Sequence, residues 1–215
     1  SPIIKNQGNS LEVTGINIQY YPIKGKGIIG YLKNIPALRR MLKSQEYDIV
    51  HAHYVFSAFV ATLAGAKPLV VSLMGTEVKE AKAIKLFIKL IAHIFWRAIL
   101  LKSDDMKDSL RYSTALVIPN GVDLDNFKPM DRDECQQLLG WDKTKKHIIF
   151  ASSISRPEKN FALADAAISS LEDVSFELHS LENIRHDHIS NYLNAADVIL
   201  LTSKFLGRIG LAPVD

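Results

Sequence analysis

The sequence predicts an α/β protein with doubly wound parallel sheets, and three observations carry that prediction. Short β-rich apolar runs recur along the 215 residues, and helical patterns fill most of the gaps between them. Several of these runs are continuous rather than alternating, as in parallel strands covered on both faces. A polar stretch bearing a proline, 123–133, divides the runs into two groups and reads as a linker. Composition agrees, with 47% apolar and 23% charged residues, the values of a soluble globular chain. The net charge of +3 is too weak to argue for nucleic acid without a clustered patch. The single cysteine, Cys135, excludes an internal disulfide and a cysteine-based zinc cage, so a reducing, cytoplasmic compartment is expected. Ser1-Pro2 opens the chain with neither a basic region nor an apolar core behind it, so no secretory leader is read there.

In chain order, 16–23 reads as a strand and 31–44 as a helix, with apolar residues at 32, 35, 38, 41 and 42. Strand 48–51, helix 56–64, strand 69–73, helix 79–97, strand 98–101, helix 105–112 and strand 115–118 complete the first group. Helix 132–139, strand 148–151, helix 160–171, strand 174–178, helix 188–195 and strand 198–201 make the second. Between the groups, apolar residues run into Pro119-Asn120-Gly121. Pro119 fixes φ and removes a donor, and Asn120-Gly121 can take φ > 0, so a buried strand should end abruptly there and a rigid connector begin.

Helix 79–97 admits two readings. Lys82, Lys85 and Lys89 share one face, while Ile84, Phe87, Ile88, Ile91, Ile94 and Phe95 crowd another. It could lie on an anionic membrane surface, or pack on its sheet and leave a solvated lysine stripe. The lysines interrupt the apolar run too often for a membrane span.

Three places could carry chemistry. His51 and His53 stand at the end of a strand, on one side of it by their i, i+2 spacing, where ligands bind in an open α/β sheet. No further ligand is evident, so structural hydrogen bonding is expected there and no metal site. Gly75 follows the strand 69–73 and permits close backbone approach, with Thr76 or Glu77 placed to cap the next helix. After strand 148–151, a run of serines leads to Arg156 and Lys159, two cations three positions apart at a helix start. A diphosphate would meet backbone N–H groups, the positive helix end and both charges there. A solvated turn partly neutralised by Glu158 fits the same residues equally well.

With these pieces in order, the chain resembles the family 4 (group 1) glycosyltransferases of the GT-B fold. The matching segments are Tyr47-Asp48-Ile49-Val50-His51-Ala52-His53-Tyr54, Val70-Val71-Ser72-Leu73-Met74-Gly75-Thr76-Glu77 and Pro119-Asn120-Gly121-Val122-Asp123, which runs on to Phe127-Lys128-Pro129. Arg156-Pro157-Glu158-Lys159-Asn160 and Tyr192-Leu193-Asn194-Ala195-Ala196-Asp197-Val198, with Leu201-Thr202-Ser203, complete the series. The resemblance implies two Rossmann-like domains facing across a cleft. Residues 1–122 would be an acceptor domain lacking its first strand, 123–133 the linker and 134–215 a partial donor domain. It implies transfer of a sugar, a hexose, from a nucleotide-diphosphate sugar to a hydroxyl of a carbohydrate or lipid-linked acceptor. Configuration would be retained, in polysaccharide or glycolipid biosynthesis, with no metal, no cofactor and no nucleic acid involved. On the membrane reading of helix 79–97, that helix would touch the inner face of the membrane.

By the same resemblance Arg156 and Lys159 would hold the donor diphosphate. His53, Met74, Gly75 and Thr76 would line the cleft, with Asn120 and Gly121 in the connector. Two departures stand out. Many relatives carry histidine where this chain has Met74, which can neither exchange protons nor donate a strong hydrogen bond. The family's pair of glutamates, eight positions apart, is replaced by Leu206 and Val214, or by Gly207 and Asp215 if the alignment slips by one. No catalytic residue is therefore assigned, and these 215 residues, read as a shortened enzyme, are expected to transfer sugar poorly or not at all. A noncatalytic nucleotide-binding module or inactive truncated relative is the alternative, and a nucleotide-sugar epimerase ranks last.

Overall fold

A computed structural model describes residues 2–75, 82–171 and 175–203. The chain divides into two units, the first running to Gly121 and the second starting at Val122.

In the first unit, α1 (Pro2–Val13), α2 (Gly27–Leu32) and α3 (Ile35–Ser44) precede an alternation of strand and helix. The alternation runs β1 (Val50–His53), α4 (Val55–Ala64), β2 (Leu69–Ser72), α5 (Lys82–Phe95), β3 (Ala98–Leu101), α6 (Asp104–Leu110) and β4 (Leu116–Val117). The strands form one parallel sheet in the order β1-β2-β3-β4, with His53 opposite Ser72, Ser72 opposite Leu100, and Leu101 opposite Val117. Leu69, Val71, Ile99 and Leu101 are buried in it, as continuous apolar runs require. The small side chains Ala58, Ala61 and Ala64 are buried on α4 and let that helix lie close to the sheet. The Trp96 indole N–H, at the end of α5, donates to Thr62 Oγ1 at 2.8 Å and fastens α5 to α4. Ser103 caps α6 by accepting from the Met106 N–H, with Asp104 and Asp105 in the positive first turn.

The second unit holds α7 (Arg132–Leu139), β5 (Lys146–Phe150), α8 (Phe161–Ser169), β6 (Phe176–Ser180), α9 (Ile189–Ala195) and β7 (Val198–Leu200), again with parallel pairing, in the order β6-β5-β7. Asp131 caps α7 by accepting from the Glu134 N–H, and left-handed Gly140 ends it. Cys135 is buried there, and burial first, then Asp131 and Glu134, push its thiol up. The Asn194-Ala195-Ala196-Asp197 run works as a clasp. Asp197 accepts from the His147 N–H at 2.9 Å and from Arg132 at 2.7 Å, with Lys146 at 3.4 Å. Asn194 accepts from the Met130 N–H and donates to the Lys128 and Ser190 carbonyls, while Gln136 donates to the Ala195 carbonyl.

Four expectations are corrected. The β-rich segment 16–23 forms no strand. It is held by side chains instead: Tyr21 and Ile23 pack on the core, Tyr21 donates to the Asn34 carbonyl, and Gln19 bonds Gln45 and Tyr47. The predicted helix 31–44 is two helices, because Asn34 turns its side chain back onto the preceding loop. Its amide donates to the Lys24 and Gly30 carbonyls at 2.8 and 2.7 Å and accepts from the Lys24 N–H. Pro36 then sits in the first turn of α3, where its missing N–H costs nothing. The predicted buried strand 115–118 is a two-residue edge strand whose Leu116 is exposed, and neither Asn120 nor Gly121 uses a positive φ, since extended backbone suffices to leave the sheet.

The fourth correction concerns helix 79–97, described as α5 from Lys82 onward. Ile88 is buried as expected, with Ala92 also buried, but Leu86, Phe87, Leu90, Ile94 and Phe95 are exposed. Lys85 turns toward α6, its Nζ 2.9 Å from Ser109 Oγ, and Lys89 is half-buried, so the solvated stripe is apolar rather than basic. Rings extend this surface: Tyr31–Phe56, Phe56–Phe59 and Phe59–Phe87 stand 5.5, 6.3 and 5.4 Å apart between centroids. Exposed Ile28, Ile29 and Leu32 on α2 lie at the end of that row, beside exposed Lys24, Lys26 and Lys33.

Candidate functional site

The carboxyl ends of β1, β2 and β3 gather the polar groups of the first unit. Parallel register brings the end of β1 beside Ser72, and the rings of His51 and His53 stand 4.2 Å apart on one side of the strand. His51 Nε2 lies 2.8 Å from the buried Ser72 hydroxyl, so one of the pair has the structural hydrogen bond expected of it. Lys102, directly after β3, is buried at the same strand ends. Burial first, then Lys102, lowers the His51 pKa; burial, His51 and Lys102 lower that of His53 to about 4. Burial also lowers the Lys102 pKa. An anion set beside these two imidazoles and the desolvated amine would favour their protonated forms.

Two backbone positions beside these groups take positive φ. Tyr54 takes φ 78°, rare for a non-glycine residue, where β1 turns into α4, and its N–H donates to the Ser72 carbonyl. Gly75 takes φ +116°, and an added Cβ would come no closer than 3.9 Å to a neighbour, the Met106 sulfur. The need for glycine there is thus one of backbone conformation. Met74 is half-buried just before it, and Thr76 lies outside the described residues, as does Glu77 with its expected cap. Asn120 and Gly121 follow β4 at the same end of the sheet as Lys102, since the Ile118 N–H bonds the Leu101 carbonyl. A cavity of ≈ 330 Å³ walled by Leu42, Tyr47, Asp48 and Val50 lies at the other end of β1, away from all of these groups.

In the second unit, the loop after β5 carries the expected cations. Pro157–Lys159 makes one 3-10 turn, left-handed Asn160 follows, and α8 begins at once. Arg156 is turned onto Glu158, with contacts of 2.6 and 2.7 Å, and Glu158 is held below its ordinary pKa by its own N–H first and Arg156 second. Lys159 carries no ion pair among the described residues, and the Thr202 hydroxyl reaches its carbonyl and that of Asn160. Ser153 donates to Glu182 at 2.6 Å, and Ser155 then donates to Ser153. The structure thus brings Arg156 and Lys159 to one helix start, with Arg156 engaged by the carboxylate that the alternative reading invoked.

Sequence reasoning missed Lys102, Glu182 and the pairing of His147 with His179. A lysine directly after a continuous β run was a usable signal for the first. The other two depend on how β5 and β6 align, which one sequence does not reveal.

The Glycosyltransferase Family 4 profile matches residues 6–126, more than half of the chain. The chain belongs to this family. A curated relative of this family-4 chain is the Escherichia coli UDP-Gal:alpha-D-GlcNAc-diphosphoundecaprenol alpha-1,3-galactosyltransferase, 26% identical over 84% of the chain and 58% of the relative. The chain therefore spans little more than half of that protein's length. Among solved structures, sucrose-phosphate synthase from Thermosynechococcus elongatus aligns with TM-score 0.62 at 15% identity, over 87% of this chain and 59% of the other. A glycosyltransferase from Rickettsia africae aligns with TM-score 0.61 at 16% identity, over 91% and 62%. Anabaena Alr3699/HepE in complex with UDP and glucose gives 0.57 at 17% identity, over 91% and 63%. At such identities the likeness speaks for the fold, which is that of GT-B glycosyltransferases: parallel α/β sheets in both units of the family-4 chain. Among its described residues no helix is long and apolar enough to cross a membrane.

Proposed function

We propose that this family-4 chain serves the transfer of a hexose from a nucleotide-diphosphate sugar to a hydroxyl of a lipid-linked acceptor, with retention, at an anionic membrane surface. The observation that carries the reading is the family match itself, which takes in the whole set of strand ends where His51, His53 and Lys102 converge. The Escherichia coli relative adds galactose from UDP-Gal to an acceptor carrying a diphosphate and a polyprenol. A diphosphate of that kind suits the strand ends of the first unit, where it would hold both histidines and Lys102 protonated.

In the transfer, the bond from sugar C1 to the donor phosphate oxygen breaks, and a bond to the acceptor oxygen forms on the same face. The acceptor's proton leaves with the nucleoside diphosphate. Lys159, and Arg156 once released from Glu158, would carry the charge that builds on that leaving group, beside the positive end of α8. This step draws on no metal or cofactor. Cleft-lining roles for His53, Met74, Gly75, Thr76, Asn120 and Gly121 belong to the same reading. Without the paired glutamates, turnover by these 215 residues should be slow.

Calorimetric titration with UDP and GDP tests the donor half. The Arg156→Ala/Lys159→Ala variant should bind at least about tenfold more weakly, given charge-assisted contacts to a diphosphate; equal affinity would sink the assignment. The apolar strip of α5, the exposed end of α2 and the lysines beside it support the membrane half. Co-sedimentation with phosphatidylglycerol-containing vesicles should be lost in Leu90→Glu, and binding that ignores the substitution would refute it.

A further inference from the structure

We infer that His147, His179 and Glu177 form a binding site for a divalent transition metal, of the class that takes zinc, in the second unit. Register makes the juxtaposition. His147 pairs with Glu177 and Ile149 with His179 across β5 and β6, so alternate positions bring the three side chains to one face of the sheet. Their ligand atoms all lie within 4.8 Å of one another. His147 Nδ1 is 2.9 Å from His179 Nε2 and 4.0 Å from Glu177 Oε2.

The tautomer of the buried member follows from its other contact. His147 Nε2 lies 2.9 Å from the Asp142 carbonyl, which can only accept, so the proton is on Nε2 and the Nδ1 lone pair faces the cluster. A histidine ligand oriented by a hydrogen bond from its second nitrogen to a carbonyl is the usual arrangement around a protein-bound metal. Trp141 fixes the ring planes, stacked on His179 at 3.9 Å and 10° and on His147 at 4.5 Å and 30°. With the His147 proton on Nε2, the 2.9 Å contact is a hydrogen bond from His179 Nε2–H to His147 Nδ1, and an ion would take the place of that shared proton as His179 shifts its own to Nδ1.

Tetrahedral zinc with bonds of about 2.0–2.1 Å needs ligand atoms about 3.3 Å apart. The two nitrogens, 2.9 Å apart, must separate by a few tenths of an ångström, and the carboxylate, 4.0 Å from His147 Nδ1 in a cluster spread over up to 4.8 Å, must swing in by about 1 Å, which its exposed side chain permits. Glu177 is 42% exposed at its side chain, which gives an ion its way in. Lys145, 3.6 Å from the same carboxylate, is the competitor that an ion must displace. Two imidazoles and a carboxylate leave a fourth position for water, and copper(II) should bind more tightly than zinc. Nothing in this inference depends on sugar transfer.

The test is zinc titration of the chelator-stripped 215-residue chain, followed by tryptophan emission and by metal content after dialysis. One ion per chain is expected, with a saturable emission change that disappears in Trp141→Phe. His179→Gln, at a half-buried position, should weaken binding at least tenfold with its circular dichroism unchanged, and Lys145→Ala should tighten it. Absence of saturable binding overturns the inference, and so does equal affinity in His179→Gln, which would move the ion to other histidines.

Discussion

The two units share one architecture and are held together differently. In the first, aliphatic side chains of β2, β3 and α4 make a continuous buried cluster, and its buried polar groups, Ser72 and Lys102, lie at the strand ends. In the second, among the described residues, only β5 supplies a run of buried large residues, and Asp197, Asn194 and Gln136 connect α7, β5 and α9 by hydrogen bonds. Apolar packing tolerates volume-conserving exchange, whereas a polar clasp tolerates little, since a deleted member leaves buried partners unsatisfied.

The chain carries a natural probe for each half, Trp96 in the first unit and Trp141 in the second. Leu101→Ala should cost about 3 kcal/mol, the loss expected from a fully buried leucine, in urea transitions followed by Trp96. Asp197→Ala should cost about 2 kcal/mol and act on the transition followed by Trp141. Asp197→Leu should be no milder, because the part-buried His147 N–H stays unpaired while half-exposed Arg132 turns to water. If each substitution moved both transitions equally, the contrast between the halves would be wrong.

The smallest expected effect is one of pH. The folded-state pKa of His53 is about 4, below the ordinary 6.5, so the unfolded chain binds more protons between those values. Stability of the first unit should be full above about pH 6.5 and fall as pH drops toward 4, by less than either substitution costs because water screens this part-exposed ring. His51, lowered in the same direction, adds to the slope. His53→Asn should flatten the dependence measured by Trp96, and an unchanged slope would remove His53 as its source.

Local signals served the sequence reading well where the physics is local. The helix 132–139 was legible because its Asp131 cap and Gly140 stop sit in the same few residues as its apolar period, and the run 98–101 was legible as a continuous strand. The i, i+2 spacing likewise placed His51 and His53 together. The failures share one cause. A strand exists only with a partner, which 16–23 lacks among the described residues, and Asn34 breaks a helical period by contacts ten residues away. Lys102, His147 and His179 acquire neighbours only through strand register, and the exposure of Leu90 and Ile94 follows from how α5 is rotated on its sheet. Periodicity shows that a helix has two faces and is silent about which one a sheet will cover.

That rotation has a practical consequence. With Leu86, Phe87, Leu90 and Ile94 turned to water, the molecule is an amphiphile on the scale of one helix. It should adsorb to air–water boundaries, and its hydrodynamic radius should grow with concentration and shrink again in mild detergent. A net charge of +3 offers little electrostatic repulsion to keep copies apart. Handling conditions, more than intrinsic fold stability, would then govern the yield of dispersed protein.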